Sequence, residues 1–397
     1  YQTCNTLHEI MLLQEHHTMQ FLNCGSSRCA FRVDNVVLKT VKLHSDASFE
    51  PYARMTANTD SVALEHLTAS PYVMNIYGSC SIAKVVEYSS QGSLHDVIKE
   101  SRLQEKVKDE VQLHPRGASW QDEDVDHDRH TIPAEYHRHQ YTTPMEKLKI
   151  AYQLLVAVAD MHGLEQSAAG TMPMMLHNDL CCHQYVLVDG VYKLGDMDTI
   201  TFVTVEELYQ RQEAGVRGAA ATKTQKVCQT TPLIWEYESL KAVAPEELIY
   251  YDDNATKIAL ARDKIDVHKI GSTLYTLLTN WWEWEGYHAR SVIVKKFQGE
   301  FPPFPAENTT AQLLSSTQDL AALQALREAV LMAWTPNPNK RPSARAISNF
   351  LLPTIRQFQP KNDDSTIVRV SLPPLTPNHR FTDSDFMSRW YTGSNLE

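Results

Sequence analysis

From Met19 to Leu43 the chain reads MQFLNCGSSRCAFRVDNVVLKTVKL, and its apolar positions fall in three short runs. With a tight turn at Gly25-Ser26-Ser27-Arg28, this pattern predicts three strands. Leu64 and Leu67 recur at helical spacing inside DSVALEHL, Lys84 to Tyr88 reads as a further strand, and Ser89 to Leu94 as a loop opening a helix. Pro144 opens a helix in which Ile150, Leu154, Ala157 and Met161 recur at i, i+4, i+7 and i+11, the stripe of a buried face. Two apolar runs, Tyr185 to Val188 and Val191 to Leu194, are joined by Asp189-Gly190. That dipeptide tolerates positive φ and is the strongest short-range hairpin signal. Leu274, Leu277 and Leu278 line one face of another helix. Trp281, Trp282 and Trp284 after it are expected to pack in the core or to cover an insertion.

Two stretches lack a period. Residues 101–143 are crowded with charge and histidine. His127, His130, His137 and His139 fit neither a helix face nor a zinc finger, so the pattern predicts a solvated, partly disordered insertion rather than a metal site. From Phe358 onward the chain is polar and proline-rich and reads as a tail on the surface or in disorder. No internal repeat is visible.

Composition narrows the function. A formal charge of −11 over 397 residues argues against nucleic-acid binding, which needs a basic face. No run of eighteen apolar residues exists, so no segment is expected to span a membrane. The chain opens on Tyr1, which leaves a signal or anchor upstream of it open. Seven cysteines without a C-x-x-C pair do not describe a zinc site. Cys24 and Cys29 flank the four-residue turn, close enough across the paired strands for a disulfide. With the sequons at Asn254 and Asn308, this leans towards the secretory lumen or extracellular face, the cytoplasm being the alternative.

The candidate chemistry sits around the hairpin. His177-Asn178-Asp179-Leu180 precedes it, Gln184 stands five residues after Asp179, and Asp196 and Asp198 close it. The oxygens of Asp179, Gln184 and Asp196 are thereby expected to converge at one end of a small ribbon. Such a donor set suits Mg²⁺, completed by substrate phosphates.

These residues resemble the protein-kinase catalytic loop H-R-D-x-x-x-x-N followed by D-F-G, with Gln184 for Asn and Asp196-Met197-Asp198 for D-F-G. The glutamine and the D-x-D pattern are similar to the divergent secretory-pathway kinases, the group of protein O-mannose kinase and vertebrate lonesome kinase. Further motifs follow in the kinase order: Val36-Val37-Leu38-Lys39 for V-A-I-K, Ala244-Pro245-Glu246 for A-P-E, Asp266 to Gly271 for D-x-W-S-x-G, and Arg341 in a late Pro-rich motif. The resemblance covers roughly residues 19–355.

It implies an α+β, bilobal fold with a small β-rich N-lobe at 19–88 and a larger, mainly helical C-lobe at 89–355. Residues 1–18 would be an extension, 101–143 and 199–243 insertions, and 356–397 a tail. It implies ATP with Mg²⁺ (Mn²⁺ is possible) and transfer of the γ-phosphate to a hydroxyl of a protein or glycoprotein substrate. Asp179 would be the catalytic base, Lys39 would hold the phosphates, and Asp196, Gln184 and Asp198 would hold metal. Gly25 and Ser26 would cover the phosphates, and the backbone near Glu87 and Tyr88 would meet adenine. Glu246 would pair with Arg341. The helix carboxylate expected to partner Lys39 is Asp60 or Glu65, with Glu65 preferred for its reach. A pseudokinase scaffold and a kinase-fold enzyme for sugars or small molecules remain the alternatives.

Overall fold

A computed structural model describes residues 4, 19–24, 28–41, 51–99, 101, 143–163, 166–167, 170–171, 175–202, 243–248, 262–304, 316–359 and 365–371. Gly25, Ser26, the four insertion histidines, both sequons and Cys228 lie outside the described residues. The chain is a mixed α+β protein, with a small antiparallel sheet in its N-terminal region and a helical C-terminal part.

The sheet holds β1 (Met19–Cys24), β2 (Arg28–Val33), β3 (Val36–Val41), β4 (Ile76–Cys80) and β5 (Ala83–Glu87) in the order β1-β2-β3-β5-β4. The three runs read between residues 19 and 43 are β1 to β3. Cys24 and Cys29 lie opposite each other and are joined by a disulfide, with their Cα atoms 4.0 Å apart. A second disulfide links Cys4 to Cys80 on β4. Helix α1 (Pro51–His66) buries Ala63 and Leu64 completely. It begins well before the spacing at Leu64 and Leu67 discloses it, on a proline whose fixed φ suits a first helical residue.

The helical part starts with α2 (residues 94–99) and α3 (Pro144–Met161). The Thr143 hydroxyl caps α3 by accepting the Glu146 amide at 3.3 Å, and the predicted stripe of Ile150, Leu154, Ala157 and Met161 is fully buried. Short pieces follow: β6 (Gln166–Ser167), β7 (Gly170–Thr171), β8 (Met175–Leu176), the hairpin of β9 (Tyr185–Val188) and β10 (Val191–Leu194), and β11 (Thr201–Phe202). The hairpin turns at Asp189 (φ 49°) and Gly190 (φ 77°), as that dipeptide predicts. Helices α4 (Pro245–Leu248), α5 (Arg262–Thr279), α6 (Ala289–Phe297), α7 (Thr317–Ala333) and α8 (Ala344–Gln357) complete it. Seven consecutive residues of α5, Ile265 to Gly271, are buried, so this helix is covered on every side. Gly271 lets α7 approach: a Cβ there would stand 2.9 Å from Ala333 Cβ. Among the described residues no helix is long and apolar enough to cross a membrane.

Two expectations need correction. Residues 365–371 of the tail run along the surface, as expected, but are not merely laid on it, because the side chains of Val368 and Val370 insert into the main core. The buried amide of Gln153 on α3 organises this contact. Its Nε2 donates to Val368 O at 2.8 Å and to Gly190 O at 3.0 Å, while its Oε1 accepts Tyr192 N at 2.8 Å. Of the three tryptophans after α5, only Trp284 packs inside, while Trp281 is 57% exposed and Trp282 36%.

Candidate active site

The site begins with one buried carboxylate. Asp266, near the start of α5, is 1% exposed and accepts His177 N at 2.8 Å, Asn178 N at 2.9 Å and His162 Nε2 at 3.0 Å. Burial opposes its ionisation, but the hydrogen bond from His162 and the neighbouring histidines hold its carboxyl below the usual range. The two backbone bonds fix the turn in which Asn178 takes φ 69°, a left-handed conformation that asparagine tolerates. Lys269 adds a bond from its ammonium to Asn178 O and pairs with Glu247 at 3.5 Å.

That turn presents Asp179, whose surface is open to solvent while the protein around it partly desolvates the carboxyl group. Gln184, at the end of the 3₁₀ turn Cys182–Gln184, donates its Nε2 to Asp179 Oδ2 at 3.1 Å. The Asp179 carboxyl is held above its ordinary range, chiefly by partial burial, with Asp198 and Asp196 adding to the effect and His177 and Lys269 opposing it. Cys181 and Cys182 flank the turn as free thiols, and burial raises them to about 11 and about 12, so neither is a nucleophile at neutral pH.

The second half comes from the chain after β10. Gly195 donates its N–H to Gln184 O at 2.9 Å and accepts Lys39 Nζ at 3.1 Å, so β3, the 3₁₀ turn and the Asp196 segment meet there. Lys39 also lies 3.9 Å from Asp196 Oδ1. Burial opposes the charge on Asp196, yet Lys39, Lys84 and Arg28 together outweigh it and lower its pKa. The structure thus links Asp179, Gln184 and the Asp196 segment, the three groups that the spacing sets at one end of the ribbon, and adds Lys39 to them. Among the described residues no cluster of three His, Cys, Asp or Glu side chains is arranged to hold a metal. Asp196, Asp198 and the Gln184 carbonyl are nevertheless an all-oxygen donor set. Two carboxylates with phosphates completing the shell is the usual arrangement for Mg²⁺, so these residues fit it.

Sequence reasoning missed Gly195. A Cβ at this position would stand 2.2 Å from Met74 Sδ and 3.0 Å from Met74 Cγ. Gly195→Ala is therefore expected to destabilise the fold by about 1–3 kcal/mol, the usual cost of overpacking. Thermal denaturation checks this, and Met74→Ala in the same chain should recover much of the loss. Equal Tm values for the single variant and wild type would show that Met74 simply moves aside.

The helix carboxylate also differs from the preference for Glu65, which among the described residues accepts a bond from Ser79 Oγ at 3.4 Å. Asp60 is the inward one, 0% exposed and paired with Arg28 and Lys84. The side chain of Glu87 ties strands together. Its carboxylate binds Lys193 Nζ at 2.8 Å through both oxygens and accepts Asn75 N at 2.9 Å, and its own N–H donates to Asn75 O at 3.1 Å. The Tyr88 ring lies under the Arg32 guanidinium, 4.3 Å from centroid to Cζ. Beside Gln184, the His183 ring stacks on His95 at 3.7 Å, and His95 stacks on Trp282 at 5.5 Å. No periodicity in the sequence foretells that column of rings. Compared with known proteins, the chain matches no protein-family model and no curated protein sequence.

Proposed function

We propose that the protein is an ATP-dependent phosphotransferase of the bilobal protein-kinase type, which moves the γ-phosphate to a hydroxyl of a protein or glycoprotein. The observation that carries this reading is the meeting at Gly195. One residue joins the strand lysine Lys39, the amide-bearing turn of Gln184 and the acidic segment Asp196–Asp198, with Asp179 hydrogen-bonded to the same Gln184. Positioning and charge stabilisation are what phosphoryl transfer asks of a protein, and these four groups supply both. Asp179 orients the acceptor hydroxyl and takes its proton as the oxygen–phosphorus bond forms and the bond to the β-phosphate oxygen breaks. Lys39 carries positive charge to the phosphates. Mg²⁺, held by Asp196 and Gln184 with Asp198 adjacent, would neutralise the charge that develops on them. Two disulfides among the described residues favour an oxidising compartment for this chemistry.

Calorimetry of ATP with and without Mg²⁺, followed by turnover assays against peptide and glycan acceptors, tests the reading. Absence of nucleotide binding in both conditions would remove it.

Regulation follows from Asn178, which stands where many protein kinases carry an arginine for a segment phosphate. Its side chain instead donates to Thr199 O at 2.8 Å and Thr201 Oγ1 at 3.1 Å, and Thr199 Oγ1 donates to His177 O at 2.7 Å. Neutral hydrogen bonds thus hold the start of the segment without any phosphate. Thr222, Thr224, Thr230, Thr231 and Tyr237 lie outside the described residues. Turnover should be independent of their phosphorylation. A loss beyond tenfold on phosphatase treatment, about 1.4 kcal/mol of barrier, would show that another cation replaces the arginine.

A further inference from the structure

We propose that Lys84 and Arg28, rather than Lys39, anchor helix α1 in this chain, and that their shared carboxylate Asp60 positions the Asp196–Asp198 segment for its metal. The inference rests on the phosphotransferase reading for its function but not for its geometry. Lys39 on β3 and Lys84 on β5 are direct cross-strand partners. Like charges at such a pair repel unless an anion lies between them. Two anions divide them here: Lys39 faces Asp196, and Lys84 faces Asp60. Arg28 on β2 reaches the same Asp60 oxygen, Oδ2, so one buried carboxylate meets basic side chains from two strands.

The other oxygen of Asp60 supplies the functional link. Asp60 Oδ1 accepts the backbone N–H of Met197 at 3.1 Å, and Met197 lies between Asp196 and Asp198, the two carboxylates assigned to the metal under the proposed function. Met197 is itself completely buried, so its place and the direction of its N–H are set together. A displacement of Asp60 therefore moves α1 and the acidic segment at once. Lys39, whose side chain is 18% exposed against 3% for Lys84, is left to serve Asp196 and the phosphates. Asp60, Lys84 and Arg28 are thus positioning residues: they act on the metal site through Met197.

Amide hydrogen exchange on the nucleotide-free protein tests the anchor without any need for activity. Lys39→Met should leave exchange across residues 51–66 at the wild-type rate, whereas Asp60→Asn and Lys84→Met should speed it together with exchange at Met197. Lys39→Met replaces a partly exposed side chain and is the arm least prone to misfolding, so it decides alone if the buried variants fail to fold. Faster exchange of α1 in Lys39→Met would overturn the proposal. In parallel, Mg²⁺ titration in the presence of ADP should show half-saturation raised about 10–100-fold in Asp60→Asn, the usual penalty for losing a group that orients a metal ligand. An unchanged Mg²⁺ requirement with a well-folded Asp60→Asn would also overturn it. If wild type binds no Mg²⁺-nucleotide at all, the phosphotransferase reading fails and the exchange data still judge the anchor.

Discussion

If the proposed phosphotransferase reading holds, Asp179→Asn should lower ATP turnover by about 10²–10⁴-fold, the range for a positioned general base, and leave nucleotide binding nearly unchanged. The asparagine keeps the shape of the side chain and can still hydrogen-bond to Gln184, so the turn held by Asp266 is not disturbed. What it cannot do is accept the proton of the incoming hydroxyl. The pH dependence separates this loss from a structural one. Partial burial, reinforced by Asp198 and Asp196, holds the Asp179 carboxyl above the ordinary carboxylate range. A base works only when ionised, so wild-type kcat should fall as pH drops through that raised pKa, above the usual ~3.9 for aspartate. The residual activity of Asp179→Asn should lack this acid limb. A variant retaining both the rate and the limb would remove Asp179 from the chemistry, and pH profiles of kcat for the two proteins provide the measurement.

The parts of the fold legible in the sequence are those whose cause is local. Asp189-Gly190 needs only its two positive φ values to specify the hairpin, and the stripe from Ile150 to Met161 needs only the helical period. The disulfide Cys24–Cys29 follows from a short turn between paired strands. What is not legible depends on partners far along the chain. Asp60 and Glu65 stand about one turn apart on one helix, and only the packing of α1 against the sheet shows which faces inward. Lys84 reads as an ordinary strand lysine until the register sets it opposite Lys39. The apolar positions of the tail, too few to form a period, become core because the Gln153 amide offers hydrogen bonds to the backbone beside them.

The candidate site shows the same division. Spacing brings Asp179, Gln184 and Asp196 to one end of the hairpin, and the structure holds them there. Gly195, their meeting point, is silent in the sequence because a glycine before an acidic residue looks like any turn glycine. Its necessity comes from Met74, on the chain that enters β4. Glu87 stands out in the sequence only for its backbone, yet its carboxylate ties β5 to β10 through Lys193, a bond between residues more than a hundred positions apart.

The largest effect on stability is expected at Arg341, whose pairing with Glu246 the motif order does foretell. The guanidinium is fully buried and donates from Nη1 to Glu246 Oε1 at 2.5 Å and from Nη2 to Oε2 at 3.1 Å. Its Nε donates to Thr335 O at 3.0 Å, and Nη1 also reaches Lys264 O. One side chain therefore joins α4, the start of α5 and the end of α7. Arg341→Leu leaves the Glu246 carboxylate buried without its cation and strands two carbonyls, a defect of about 3–5 kcal/mol. Lysine should not rescue it, since an ammonium cannot form the two parallel bonds or reach the carbonyls in the same geometry. Glu246→Gln should cost less than Arg341→Leu, because the amide removes a charge yet can still accept one bond from the guanidinium. The decisive arm is the double variant Arg341→Leu with Glu246→Leu. Removing both charges abolishes the unpaired ion, so the double variant should be more stable than Arg341→Leu alone. Denaturant unfolding of these variants beside wild type and Glu246→Leu measures the differences. If the double variant is less stable than Arg341→Leu by the full cost of Glu246→Leu, the carboxylate is not paired with Arg341 in solution, and α4 is held by something other than this ion pair.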